Sequence, residues 1–499
     1  MEKTTECDNR MEPKDNQSFV TIPLIRGESL LLFVILLLFL WLDTSIVSSP
    51  IQAWFIGIIL LCLCIRRMHP WDPLKMLFLG WGFVFINVFS GLFQFVIHGS
   101  LFLPLCLIIL YLFLFVAGYI WGSPKVKIDL DSIRERLDKI YENSDFIRIG
   151  NISAYCSILS FLFLCIDLFF LRRLNPMDLN AVREDVLSME SAGVLAILSS
   201  FLSAGGFFCG ICLFFVSGKK QLFFWGLVCF AAESFLSAGR QMLFMFAILC
   251  LFCFLSKKAF SVSIIISKHL KYLFLIFCAI VFSYLAFLTQ TRDLINTSYN
   301  SMSTRFAIDN NLTYSQEYQH FLDNTPQQYG DLATNGIVYF ATQIPAFCER
   351  FNMESFPLLQ GHFLQAFLPF VNRQVDKLFP PDYSKQYRFS QEYLREGFIS
   401  TSSWKTFFYS GLHSLGHLGL PIFMFLYGMV SKKIFVYVLQ NISFPNINLA
   451  FINIVLPLYT QMYWGWGEQY FLFYSIVVLF LCLREQRSKK KDSSCLSHA

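Results

Sequence analysis

The sequence predicts an all-α polytopic membrane protein of about twelve transmembrane helices with one large exterior loop containing short interfacial helices. Three observations predict it. Of 499 residues, 55% are hydrophobic and only 15% charged, with 58 Phe. Apolar runs of spanning length recur along most of the chain, and in lipid only helices or closed barrels satisfy the backbone. Lys and Arg concentrate in alternate connections between those runs.

The elements follow in order. The opening stretch MEKTTECDNRMEPKDNQ is polar and lacks the apolar core of a cleaved leader, so residues 1–29 read as a cytoplasmic tail. Nine spans fall within 30–289, at about 30–48, 51–65, 76–97, 101–121, 149–171, 192–217, 221–238, 241–256 and 272–289. A large exterior loop occupies 290–405. Three further spans lie within 406–483, at about 406–430, 447–464 and 469–483, before a cytoplasmic tail at 484–499.

Charge orients these spans. The connections after spans two, four, six, eight and ten hold RRMHPWDPLK, PKVKIDLDSIRERLDK, SGKK, SKKAFSVSIIISKHLK and SKKIF. Those after spans one, three and eleven hold no Lys or Arg. By the positive-inside rule both termini are cytoplasmic. Three exterior segments depart from the rule: 172–191, the turn at Arg240, and 290–405. In the two short ones every cation is Arg, namely Arg172, Arg173, Arg183 and Arg240. A planar guanidinium pairs bidentately with phosphate and stays charged.

The long exterior segment mixes polar stretches with GIVYFATQIPAFCERF and LLQGHFLQAFLPFVNRQVDKLF. Their apolar residues have helical spacing broken at Pro345 and Pro369, which predicts interfacial or re-entrant helices. Cys348 is the one cysteine in that loop, so no disulfide closes within it. The chain holds no P-loop, Rossmann fingerprint or nucleophile elbow, so nucleotide binding is not supported.

Candidate chemistry lies where charge defies its cost in a membrane. Arg240 stands between apolar runs in SFLSAGRQMLFMF. It is either an interfacial arginine reaching head groups or part of an inward polar cavity. Glu233 precedes it by seven residues, about two turns, which would put both on one helix face. His413 and His417, four apart in REGFISTSSWKTFFYSGLHSLGHLG, share a face by the same spacing, with Gly411, Gly416 and Gly419 allowing close approach. They are packing residues, or a base for a reacting hydroxyl; a metal role lacks a third ligand and an HExxH pattern. Arg183, Arg350, Arg388 and Arg395 belong to an outward-facing basic population where cations are normally depleted.

This layout resembles the O-antigen polymerase family, the Wzy-type polymerases of oligosaccharide repeat units. The resemblance rests on the span count, the turn SAGR before an apolar helix, the large loop before the last three helices, and the glycine-rich GFISTSSWKTFFYSGLHSLGHLG. Many members carry an acidic residue where this chain has His413. The resemblance implies a GT-C-like architecture and glycosyl transfer at the periplasmic face of a bacterial inner membrane. Donor and acceptor are undecaprenyl-pyrophosphate-linked oligosaccharides; no cofactor, metal or nucleic acid is required, and a chain-length regulator is an optional partner. On this implication Arg240 and Arg183 hold pyrophosphate oxygens, Arg388 or Arg395 clamps the acceptor, Arg350 serves substrate binding, and His413 or His417 deprotonates the acceptor. Alternatively Glu233 orients Arg240 and no side chain acts as a strong base. O-antigen ligases, with His and Arg in their site, are the nearest alternative, and a lipid-sugar flippase a more distant one.

Overall fold

A computed structural model describes residues 19–21, 57–62, 69–88, 91–96, 99–122, 127–129, 135–136, 144–175, 194–215, 221–236, 241–259, 302–309, 311–359, 406–461 and 469–496. The described residues are mostly helical. Four helices are long and apolar enough to cross a membrane: Leu103–Trp121, Ile147–Leu171, Val194–Phe215 and Thr406–Gln440. Shorter apolar helices cover Pro73–Val88, Gln221–Glu233, Met242–Ser256 and Phe444–Tyr459. The spans expected near 30–48 and 272–289 lie outside the described residues, as does most of 51–65.

In chain order the elements are β1 (Phe19–Thr21), α1 (Pro73–Val88), β2 (Phe93–Phe95), α2 (Phe102–Trp121), β3 (Lys127–Asp129) and α3 (Ser144–Cys165), which continues as a π-helical turn, Ile166–Leu171. Then come α4 (Val194–Leu202), α5 (Gly205–Phe215), α6 (Gln221–Leu236) and α7 (Gln241–Ala259). The segment after them holds α8 (Met302–Asp309), β4 (Leu312–Tyr314), α9 (Gln316–Asn324), α10 (Gln327–Ala341) and α11 (Gln343–Met353). Last are α12 (Thr406–Gln440), α13 (Phe444–Tyr459) and α14 (Gln469–Leu496).

The core is built on α13, whose residues are all buried. Ser443 caps its first turn by accepting from Asn446 N–H, and its hydroxyl donates to Glu485 Oε2 at 2.6 Å, tying α13 to α14. Tyr474 Oη on α14 donates to Asn448 Oδ1 at 2.7 Å. Trp81 on α1 donates to Thr460 Oγ1 at 3.0 Å. Asn453 and Ser431 exchange bonds of 2.8 and 3.0 Å between α13 and α12. Such side-chain bonds join helices in lipid, where burial alone gives no preference for a neighbour helix over an acyl chain.

Helix α2 lies against α12 at backbone distance. A side chain at Gly118 would overlap Phe425 O, and one at Gly428 would overlap Phe115 O. Small residues let two membrane helices approach this closely. Helix α3 pairs with α6, where Ser157 Oγ donates to Gly226 O at 2.6 Å.

Within 290–405, helices are described over Met302–Asp309, Gln316–Asn324, Gln327–Ala341 and Gln343–Met353. Helices α8, α9 and α10 with β4 surround a small separate core of Phe93, Leu312, Tyr318, Val338 and Ala341. Strand β4 pairs antiparallel with β2, Phe93 opposite Tyr314, so the connection after α1 completes this subdomain. Helix α11 is buried from Gln343 to Arg350. The break expected at Pro345 falls at Thr342, which leaves the proline in the first turn of α11, where its missing N–H costs nothing.

The span expected at 192–217 is matched by Val194–Phe215, with a turn at Ser203–Ala204 where Ser203 Oγ donates to Ser200 O at 2.9 Å. Two further boundaries differ. The span expected to end near 430 runs on to Gln440. Lys432, expected in a loop, is therefore helical and buried, its ammonium 4.7 Å over the Tyr119 ring. An aromatic face accepts the cation where water is absent. Helix α14 extends past the expected end at 483 to Leu496.

Candidate functional site

The N-terminal end of α12 meets the C-terminal end of α11, and there a carboxylate, an imidazole, a phenol and a guanidinium converge. Helix α11 stops at Glu354, whose backbone is extended at φ −106°, ψ 145°. Asn352 next to it donates to Ser100 O at 2.9 Å. Beyond Glu354 the chain crosses a break in α12. Gly416 has φ 77° and ψ −179°, so α12 is two helices end to end. The break frees two backbone donors, and His417 N–H bonds Pro357 O at 3.0 Å while Leu418 N–H bonds Leu358 O at 2.9 Å. A β-carbon at 416 would sit 2.6 Å from Pro357 O.

These ties place Glu354 against His413. Glu354 Oε2 accepts from His413 Nε2 at 2.8 Å. Tyr409 Oη donates to the same carboxylate, 2.8 Å from Oε2 and 3.1 Å from Oε1. Arg350 Nη1 stands 3.8 Å from Oε1, one turn back on α11. Phe356 and Tyr409 each lie 4.7 Å from the His413 ring. The His413 and Glu354 side chains are 18% exposed, and Arg350 is buried. A half-buried imidazole is thus backed by a carboxylate whose charge a buried guanidinium offsets. Such a pair can take a proton from a hydroxyl and spread the charge it gains.

Of the expected site residues, the structure brings His413 and Arg350 together. Arg350, expected to bind substrate, is instead buried on α11 as support for Glu354. The shared helical face of His413 and His417 does not exist, because the Gly416 break separates them. Both rings nevertheless abut Phe356, His417 at 6.0 Å in an edge contact. Glu233 is buried on α6, and the hydroxyl of Ser160 on the neighbouring α3 donates to Ser199 O at 2.7 Å. Glu233 Oε1 meets no donor among the described residues. The face expected to join Glu233 to Arg240 cannot be followed, since α6 is described to Leu236 and Arg240 lies outside the described residues. Arg183, Arg388 and Arg395 lie outside them too.

Glu354, Tyr409 and Phe356 were missed from the sequence. The four-residue steps from Arg350 to Glu354 and from Tyr409 to His413 were visible there; the meeting of the two pairs was not.

Two other polar centres brace the bundle. Asp72 caps α1 by accepting from Leu74 N–H at 3.0 Å and accepts from Tyr119 Oη at 2.7 Å. Burial pushes its carboxyl up, against the pull of Lys432. Burial, then Lys75, lowers His69 in the same loop to about 4. On the π-helical turn, buried Asp167 pairs with Arg172 Nη2 at 2.7 Å. Arg172, one of the arginines expected to suit phosphate, thus has a carboxylate partner within the fold.

Compared with protein-family models, with curated proteins and with solved structures, the chain matches none.

Proposed function

We propose that this chain is a membrane glycosyltransferase that polymerises undecaprenyl-pyrophosphate-linked repeat units into O-antigen or capsular polysaccharide at the periplasmic face of a bacterial inner membrane. The observation that carries the proposal is His413 held by Glu354 beside buried Arg350, where the long loop meets the helix that follows it. Acceptor activation needs a base of this kind, an imidazole oriented by a carboxylate.

Two strand pairs support the sidedness. Strand β1, in the N-terminal tail, pairs with β3, in the connection after the fourth expected span. Strand β2, after the third expected span, pairs with β4 in the long loop. The charge pattern independently assigns each pair to one side, cytoplasmic for the first and exterior for the second. The full reading has about twelve spans in a GT-C-like arrangement.

In the proposed reaction the acceptor hydroxyl attacks the anomeric carbon of the donor chain, and undecaprenyl pyrophosphate leaves. Arg240 and Arg183 neutralise the departing phosphates, with Arg388 or Arg395 from the long loop holding the acceptor. An O-antigen ligase is the second reading, favoured by the presence of His413 and Arg350 in one site.

A glycan ladder gel of a deletion strain complemented with His413→Ala tests the proposal. Single repeat units on the lipid A core without long chains mark a polymerase. Loss of all attached glycan marks a ligase or flippase, and a normal ladder removes His413 as base. Full ladder length with Arg240→Lys excludes a bidentate phosphate contact by Arg240.

A further inference from the structure

We infer that Glu354 is the positioning residue of this site and that it makes Nδ1 of His413, not Nε2, the nitrogen that takes the acceptor proton. The reaction rests on the glycosyltransferase reading; the choice of nitrogen rests on geometry. An ionised carboxylate only accepts hydrogen bonds. The 2.8 Å contact between Glu354 Oε2 and His413 Nε2 therefore places the ring proton on Nε2. A neutral imidazole carries one N–H, so its lone pair is on Nδ1.

The carboxylate is itself held. Tyr409 Oη reaches both of its oxygens, at 2.8 and 3.1 Å, and Arg350 Nη1 stands 3.8 Å from Oε1. Its backbone N–H bonds Arg350 O at 3.0 Å, and the next residues are pinned across the Gly416 break. The ring plane is fixed by Phe356, tilted 59° to it, and by Tyr409, tilted 73°. Tautomer and orientation are thus set before substrate arrives, which is what a second group behind a base supplies. The carboxylate comes from a segment 59 residues earlier in the chain.

The step balances without a further reactant. The acceptor hydroxyl oxygen bonds the anomeric carbon as its proton passes to Nδ1. The bond from that carbon to the lipid pyrophosphate breaks, and its electron pair leaves on the phosphate oxygen. The imidazolium shares its charge with Glu354 until its proton passes to the leaving pyrophosphate or to water.

Two measurements on the purified full chain test this. In the first, turnover of a synthetic lipid-pyrophosphate repeat unit is followed for wild type, H413A, E354Q, E354D and E354Q/H413A. H413A is expected to lower kcat about 100-fold or more, within the range for general base catalysis. E354Q is expected to lower kcat at least about 10-fold with acceptor KM little changed, E354D to restore part of it, and the double variant to be no slower than H413A, because the pair acts as a unit. Wild-type turnover in E354Q, or losses that multiply in the double variant, overturns the inference. In the second, solid-state NMR of ¹⁵N-histidine protein at mildly alkaline pH reads the His413 tautomer, assigned by the signal H413A loses. The Nε2–H form is expected in wild type and a mixture in E354Q. An Nδ1–H ring in wild type, or one unmoved by E354Q, overturns the inference whether or not the protein turns over. Absent wild-type turnover with the expected NMR result sinks the glycosyltransferase reading and the proton-transfer step with it, while the Glu354 tautomer assignment stands.

Discussion

Replacing Gly416 with Ala is expected to cost about 3–5 kcal/mol of stability and to shorten the glycan ladder. The backbone there, at φ 77° and ψ −179°, is a region only glycine occupies readily. Holding a side chain in it costs about 1–3 kcal/mol. The new β-carbon would lie 2.6 Å from Pro357 O and 2.8 Å from Leu358 C and O, closer than such atoms come. Relief requires the 357–358 segment to withdraw, which gives up the bonds from His417 and Leu418 N–H at 3.0 and 2.9 Å. Those two bonds are worth about 1 kcal/mol each net. The withdrawal also draws Glu354 from His413, which links the stability loss to activity. The assay is thermal unfolding of purified protein beside a ladder gel. Gly336→Ala is the control: nothing lies within 4 Å of a β-carbon there. It sits inside α10, so Ala is expected to be neutral or to stabilise by about 0.4–1 kcal/mol. If Gly416→Ala is as stable as wild type, the break is not maintained by glycine and the account of the site's assembly is wrong.

Two other perturbations probe the braces. Burial holds the folded pKa of His69 at about 4, below the ordinary histidine value of about 6.5. The unfolded chain therefore binds more protons between those values, so stability is complete above the upper one and falls as pH drops towards the lower, by up to about 3 kcal/mol. Asp72, shifted up by burial, acts in the opposite sense. Comparing wild type with His69→Gln isolates the histidine, and the variant is expected to lose less stability between pH 7.5 and 5; equal losses would exclude His69. Asp167→Asn should destabilise by about 3–5 kcal/mol by removing the buried carboxylate charge that faces Arg172, and Asp167→Asn with Arg172→Gln should regain most of it; no regain in unfolding midpoint would show that the pair is not the cause.

The spans were legible where an apolar run decides the matter locally. Helix α2, Phe102–Trp121, lies within a residue of its expected bounds. Boundaries failed where a partner overrides composition. Lys432 looked like a loop cation because its cost in a bundle counts as prohibitive until the Tyr119 ring and Asp72 are seen beside it. Arg172 looked available to phosphate until Asp167 was placed against it. At the site, His413 was legible as a base by residue type, and Gly416 as a point of close approach. The break that Gly416 makes was not, since its cause is the Pro357–Leu358 backbone.

By itself the sequence determined that the chain is mostly helical, and where the four helices long and apolar enough to cross a membrane run. Helical bonds close over four residues and apolar runs are contiguous, so both can be counted along the chain. Only the tertiary structure decided that Glu354 meets His413 and that Arg350 is buried behind them. Contacts between distant segments depend on how helices pack and where one breaks, and residue spacing carries no record of either.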